Sequence, residues 1–391
     1  MSLFVDVSFH SLIKYGEELC GDSVETVKLA DSTIVVMADG LGSGVKANIL
    51  STLTTKISAT MLKDGADIYE TVDTIVNTLP VCKVRKVAYS TFTLIKIYDD
   101  GRVYLAEYDN PPTFIIRDGN LLNIHKKEII INDRKVYESK FYVKHGDALI
   151  VVSDGVIHAG LGNIMNLGWK WENVSDYLQR SSRNRKDARS ITKDLCDVCS
   201  DLYGGKPGDD ATVVTMKIKA PEYINLFTGP PKDKTKDGQV IKHFINSFGK
   251  KIICGGTAAN IAQRELNKPL KVNLDFISKD IPPTADMEGI DLITEGVITL
   301  SKVVDMLKEY KRNILSSAYN INNITRQDGA SKLMRILLEE CTHLTIWIGK
   351  AVNPAHQNPN LPMDLSIKLK LVNELAELLK DLGKKVQIKE I

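Results

Sequence analysis

Ile34-Val35-Val36-Met37-Ala38-Asp39-Gly40 and Ala148-Leu149-Ile150-Val151-Val152-Ser153-Asp154-Gly155 are two apolar runs that close on the same pair, aspartate then glycine. Short runs rich in β-branched residues and ended by a turn dipeptide predict strands. Side chains alternate across a strand, so a run apolar at every position predicts one covered on both faces. Its last residue then leaves the core at a fixed place, which is what a metal-binding carboxylate needs. Asp-Gly also starts at residues 64, 100, 118, 237 and 328 without closing a run of this kind, and there it predicts ordinary turns.

Two further acidic sites lie at strand edges. Gly21-Asp22 stands just before a strand, and Gly208-Asp209-Asp210 leads into Ala211-Thr212-Val213-Val214. Glycine beside each carboxylate allows close backbone approach and can free a carbonyl as a further ligand. Carboxylates, carbonyls and water are hard oxygen donors that select Mg2+ or Mn2+ over zinc. Clustered carboxylates stay ionised only with cations between them.

The surrounding pattern predicts strands at Thr33–Ala38, Thr91–Tyr98, Arg102–Glu107, Thr113–Arg117, Ala148–Ser153 and Ala211–Lys217, with helices at about Gly44–Lys63, Ile68–Leu79 and Lys186–Tyr203. Hairpin turns at Asp99-Asp100-Gly101 and Arg117-Asp118-Gly119 imply antiparallel sheets, hence a layered α+β domain over residues 1–220. The Pro- and Gly-rich stretch 221–235 reads as a linker. Over 236–391, strands at Lys251–Cys254, Asp291–Thr294, Leu344–Ile348 and Lys385–Lys389 alternate with helices from Thr257 and near Ile298–Tyr310 and Leu365–Leu382. That alternation predicts a C-terminal α/β domain with a mostly parallel sheet.

Composition narrows the partners. The 391 residues carry 51 basic and 49 acidic side chains, net +2, which lacks the basic field that nucleic acid or an anionic membrane would require. No apolar stretch reaches the roughly 18 residues of a membrane span. The Met1–Asp6 opening has no leader-like apolar run, and six scattered cysteines read as reduced thiols, so a cytoplasmic setting is expected.

Several segments, in order, resemble the type 2C metal-dependent protein phosphatases, and within them the bacterial stage II sporulation protein E branch. They are Cys20-Gly21-Asp22-Ser23, Ala38-Asp39-Gly40-Leu41-Gly42-Ser43-Gly44, Ser90-Thr91-Phe92, Asn110-Pro111-Pro112, His145-Gly146-Asp147 with Val152-Ser153-Asp154-Gly155, and Gly208-Asp209-Asp210-Ala211-Thr212-Val213-Val214. The resemblance covers about residues 1–220. It implies a four-layer α-β-β-α sandwich with two Mn2+ or Mg2+ ions at one end of two antiparallel sheets. By the same resemblance Asp39 bridges both metals, the Gly40 carbonyl binds one, and Asp154 and Asp209 complete the other shell. Asp22 binds through water or supports the site, and Asp209 rather than its neighbour Asp210 holds the ligand position. A water between the ions would attack phosphoserine or phosphothreonine. The substrate would be a phosphorylated protein, and the branch is associated with anti-sigma-factor antagonist domains. Where the eukaryotic branch has a histidine after Asp-Gly this chain has Leu41, and Lys14 is the only Lys or Arg before Asp22, so no general acid is assigned. The reading from a different class is a catalytically weak adaptor or ligand sensor that keeps the fold for partner binding.

Other features carry less. Cys196-x-x-Cys199 lies in a predicted helix without a second Cys/His pair, and reads as buried thiols rather than zinc or redox chemistry. The basic run Ser181–Lys186 reads as a solvated loop rather than a docking site. In the C-terminal domain, Gly255-Gly256-Thr257 runs from a strand into a helix start able to hold a small anion, and Thr294-Glu295-Gly296 and the loop Lys350–Pro362 end other strands. Ligands of open parallel sheets sit beyond the strands' carboxyl ends, so Gly255, Gly256, Thr257 and Glu295 are expected to converge.

Overall fold

The computed structural model describes residues 2–78, 90–132, 134–162, 165–181, 187–273, 282–313, 328–351 and 364–391. The chain forms two compact units, Met1–Ala220 and Pro221–Ile391.

In chain order the first unit contains β1 (Phe4–Leu12), β2 (Asp22–Lys28), β3 (Ser32–Gly40), α1 (Gly44–Lys63), α2 (Ile68–Thr78), β4 (Ser90–Tyr98), β5 (Arg102–Tyr108), β6 (Phe114–Arg117) and β7 (Asn120–Leu121). There follow β8 (Lys127–Ile131), β9 (Arg134–Tyr142), β10 (Ala148–Val152), α3 (Asp154–Ile157), α4 (Trp171–Ser181), α5 (Ala188–Leu202) and β11 (Ala211–Lys219). One antiparallel sheet runs β2-β3-β4-β5-β9-β8 and the other β1-β11-β10-β6-β7. Both decisive runs are covered on both faces. From β3, Val35 and Met37 meet Leu149 and Val151 of β10 between the sheets. On the opposite faces, Ile34, Val36 and Ala38 pack under α1 and α2. Ala148, Ile150 and Val152 pack under α4 and α5. The layers are therefore α-β-β-α.

The second unit contains β12 (Tyr223–Thr228), α6 (Asp237–Asn246), β13 (Lys250–Cys254), α7 (Gly256–Leu266), β14 (Lys271–Val272), β15 (Ala285–Met287), β16 (Ile290–Thr294), α8 (Val297–Asn313), α9 (Gly329–Arg335), β17 (His343–Ile348), α10 (Asp364–Asp381) and β18 (Lys385–Glu390). Its sheet runs β14-β15-β16-β13-β12-β17-β18, parallel from β16 to β18 and antiparallel at the β14-β15-β16 edge.

The expected linker 221–235 needs correction. Tyr223–Thr228 is a central strand, hydrogen-bonded in parallel to both β13 and β17. Its six residues lie between Pro221 and Gly229-Pro230-Pro231, so the breakers mark the strand's ends and not an unstructured stretch. The basic run 182–186 and most of the loop Lys350–Pro362 lie outside the described residues.

Candidate active site

The two sheets each present a pair of carboxylates at one end of the first unit. Asp22 opens β2 and Asp39 stands one residue before the end of β3, and the antiparallel register places them directly opposite each other. Directly opposed residues are the closest neighbours across a ladder, so like charges there repel. In the other sheet Asp154 begins α3 just after β10, while Asp209 and Asp210 precede β11. The β10–β11 pairing continues one step past the strand through Ser153 N–H donating to the Thr212 carbonyl at 3.0 Å.

Burial and mutual repulsion mark these acids electrostatically. Asp22 is 5% exposed, and both carboxylate oxygens are buried without a hydrogen-bond partner. Its pKa is pushed up to about 7, first by burial, with Asp210 and Asp154 adding to the rise. The nearby Thr212 and Ser153 hydroxyls pull the other way without reaching hydrogen-bond geometry. Asp39 is pushed up to about 9 by desolvation and then by Asp22, Asp154, Asp209 and Asp210. Asp154 is raised too, by burial and by Asp209, while the cationic form of His158 lowers it. These acids therefore feel one another across the two sheets.

Asp209 and Asp210 divide their roles. Asp210 is 4% exposed. Its Oδ1 accepts from Lys14 N–H at 3.0 Å and its Oδ2 from Gly21 N–H at 2.9 Å, so it staples the β1–β2 loop to the start of β11. Asp209 is partly exposed and faces Asp154 and Asp39; Lys14 Nζ lies 3.7 Å from its Oδ1. Lys14 thus belongs to the site's edge.

The glycines have a simpler reason than the expected one. A Cβ on Gly40 would lie 2.1 Å from the Ala47 carbonyl oxygen of α1, and one on Gly155 2.0 Å from the Asp210 carbonyl oxygen. Backbone crowding dictates glycine at both places. Of the other Asp-Gly pairs, Asp118 and Gly119 adopt φ +50° and +77° in the β6–β7 hairpin, and Asp328 caps α9 through Ser331 N–H at 2.8 Å.

Hard carboxylate oxygens, two of them orphaned and buried, with neighbours that raise one another's pKa, fit divalent cations of the Mg2+ or Mn2+ class. Among the described residues no three His, Cys, Asp or Glu side chains already converge as one closed ligand shell. Asp22, Asp39, Asp154 and Asp209 are the groups that would hold such ions, with the Gly40 backbone beside them.

Residues 30–219 match the family model described as stage II sporulation protein E. The first unit is similar to this family over those residues. Stage II sporulation protein E of Bacillus subtilis (strain 168) is 27% identical over 212 residues, 52% of this chain and 24% of that protein. The chain thus spans about a quarter of its curated relative. A solved structure of the PP2C phosphatase domain with a fragment of the regulatory domain of that protein is 25% identical, covers 56% of this chain and 64% of its own, and has a TM-score of 0.48. A solved structure of the S. agalactiae serine/threonine phosphatase is 17% identical over 55% of this chain and 99% of its own, at a TM-score of 0.40.

In the second unit the expected convergence is partial. Gly255 N–H donates to the Thr294 carbonyl at 2.9 Å, which sets Gly255-Gly256 beside Glu295-Gly296. Glu295 caps α8, accepting from Ile298 N–H at 3.0 Å, and so presents a carboxylate where an anion was expected. The Gly349-Lys350 arm is separated from Gly255 by β12; Lys350 pairs with Glu390 at 2.5 Å. Cys196 and Cys199 are buried free thiols, with burial pushing Cys199 up to about 12. Among the described residues no helix is long and apolar enough to cross a membrane.

Two features escaped sequence reasoning: the Asp210 staple and the His158 next to Asp154. The adjacent pair Asp209-Asp210 was a signal for the first, since two neighbouring residues at a strand start point in different directions.

Proposed function

We propose that the first unit is a divalent-metal-dependent phosphatase acting on phosphoserine or phosphothreonine in a protein. The single observation that carries this is Asp22, a carboxylate 5% exposed with both oxygens unpartnered, opposite Asp39. A buried, unpaired charge among like charges costs several kcal/mol unless a cation accompanies it. Bound Mn2+ or Mg2+ would supply Lewis-acid polarisation of phosphoryl oxygens and an activated water.

The chain's own residues do the rest. Asp39 and Asp22, locked in register on β2 and β3, hold one side of the site. Asp154 and Asp209, at the neighbouring ends of β10 and β11, hold the other. Asp210 fixes the β1–β2 loop, and with it Gly21 and Asp22, against β11. Lys14 sets a cation at the rim, 3.7 Å from Asp209, where an incoming phosphate monoester would meet it. No acid for the leaving seryl oxygen is assigned. The test is hydrolysis of p-nitrophenyl phosphate by the full chain with Mn2+ or Mg2+, compared with Asp39→Asn. Equal rates in the two proteins would overturn the reading.

For the second unit we propose a small-anion site near Gly255, Gly256 and Thr257, with Glu295 as the neighbouring helix cap. Its test is a shift in the full chain's second melting transition with a panel of nucleotides and sugar phosphates; no shift would leave that unit a structural or docking element.

A further inference from the structure

Helix α1 wears its polarity inside out. Its buried face carries Ala47, Ser51, Thr54, Thr55, Ser58 and Ala59 beside Leu50 and Leu62. The buried hydroxyls are spent on the helix's own carbonyls, as in Thr54 to Leu50 at 2.8 Å and Ser58 to Thr54 at 2.6 Å. Meanwhile Val45, Ile49 and Leu53, spaced four apart on one face, are 59%, 53% and 46% exposed. Among the described residues that stripe stays about half exposed.

A second set of exposed apolar side chains lies on the loop nearest the carboxylates. The β1–β2 loop exposes Ile13, Tyr15 and Leu19 at 42%, 66% and 42%. Two bonds tie this loop to the first turns of α1: Ser43 Oγ donates to Glu17 Oε1 at 2.8 Å, and Asn48 Nδ2 to the Cys20 carbonyl at 2.8 Å. The same loop is stapled to the site by Asp210 through Lys14. The loop that carries Ile13, Tyr15 and Leu19 is therefore anchored both to the first turns of α1 and to the candidate active site, and these six exposed apolar side chains are taken together as the ridge.

The ridge's size decides what it fits. Six half-exposed side chains present on the order of 500 Å2, a functional-sized patch on a monomer. A standard stable interface buries roughly 800 Å2 per partner, so the patch suits a transient partner better than a permanent second copy. Its position adds the rest: α1 begins four residues after Gly40, and Val45 to Leu53 spans about 12 Å at the helical rise, the reach of roughly four extended residues.

We propose that this ridge docks the substrate, a phosphoprotein segment carrying apolar side chains within about six residues of its phosphoserine. The proposal rests on the phosphatase reading above, and its test separates the two. Labelled undecapeptides carrying the non-hydrolysable phosphonate of serine, flanked by Leu and Ile or by Ser and Gln, are titrated into the full chain with Mn2+ and followed by fluorescence anisotropy. The expected result is binding at least about ten-fold tighter for the apolar flanks, and loss of that preference in Ile49→Lys/Leu53→Lys. Turnover of p-nitrophenyl phosphate, which has no flanks, should stay within about two-fold in that variant. If the lysines lower the melting temperature, Ile49→Ser/Leu53→Ser serves in their place. Equal binding of the two peptides by the wild type, or a preference surviving in the variant, would overturn docking. So would a concentration-dependent dimer dissolved by the lysines, which would assign the ridge to a second copy. Absence of turnover alone would sink the phosphatase reading and leave the binding comparison intact.

Discussion

Replacing Asp22 with asparagine should make the metal-free protein more stable, and only at high enough pH. Asp22 is 5% exposed with both oxygens unpartnered, and its pKa rises from 3.8 to about 7. A carboxyl whose folded pKa is raised binds protons more readily folded than unfolded. Stability of the metal-free protein therefore falls as pH rises from about 4 to about 7, and the loss is complete above that. Each pKa unit corresponds to about 1.4 kcal/mol, so some three units set a ceiling of roughly 4 kcal/mol. Asparagine escapes that penalty but is itself a buried polar group without partners, which costs about 1–3 kcal/mol. The net gain for Asp22→Asn at pH 8 is then about 1–3 kcal/mol, a rise of roughly 2–12 °C for a unit of this size. At pH 5, where the wild-type carboxyl is largely protonated in the fold, the gain should shrink to near zero or reverse. The assay is scanning calorimetry of the full chain in EDTA at both pH values. A variant less stable at pH 8, or a gain of equal size at pH 5 and pH 8, would refute the reasoning. With Mn2+ present the order should invert, because the wild type alone keeps the full set of ligands.

Asp39→Asn and Asp154→Asn should each lower phosphatase turnover by at least about 100-fold while the fold persists by circular dichroism. By contrast Asp118→Asn, in an exposed hairpin turn at φ +50° that asparagine tolerates, should leave the melting temperature nearly unchanged and turnover within two-fold. Asp210→Ala removes the acceptor of two backbone N–H groups and should lower stability by about 2–3 kcal/mol, read in the first melting transition. Gly155→Ala would force a Cβ to 2.0 Å from the Asp210 carbonyl and should cost more than about 3 kcal/mol or prevent soluble expression. Cys196 and Cys199, buried and with thiol pKa values pushed up, should react with a thiol reagent only after unfolding, as a colorimetric thiol titration would register.

The sequence was most legible where one periodicity had no competitor. Gly44–Lys63 was bounded correctly because Gly44 and Gly65 punctuate a long helical run, and β3 and β10 were read from wholly apolar strands. β9 is hidden in the sequence because Arg134–Tyr142 buries the polar Glu138 and Ser139 beside Val136 and exposes Tyr137 and Tyr142, so no apolar alternation marks the strand. α4 was missed for a related reason: Trp171–Ser181 buries only Val174, Ser175 and Leu178. β12 hid among prolines that a local reading takes for linker, although its place is fixed by pairing with strands 26 or more and over 100 residues away. At the site, the strand-end argument located Asp39 and Asp154, and the pairing of Asp22 with Asp39 came only with the register. The α1 ridge was illegible for a physical reason. A helix with apolar residues on both faces gives no direction to its polarity, so the pattern could not say which face the core would take.

Phosphate release from a phosphoserine peptide by the full chain, with Mn2+ and then with excess EDTA, tests the metal-dependent phosphatase reading most directly. Turnover that requires Mn2+ or Mg2+, stops with EDTA, and is lost in Asp39→Asn is the predicted result. Undiminished turnover in EDTA, or no turnover with Mn2+ together with no Mn2+-induced rise in the first melting transition, would contradict the metal-dependent phosphatase reading.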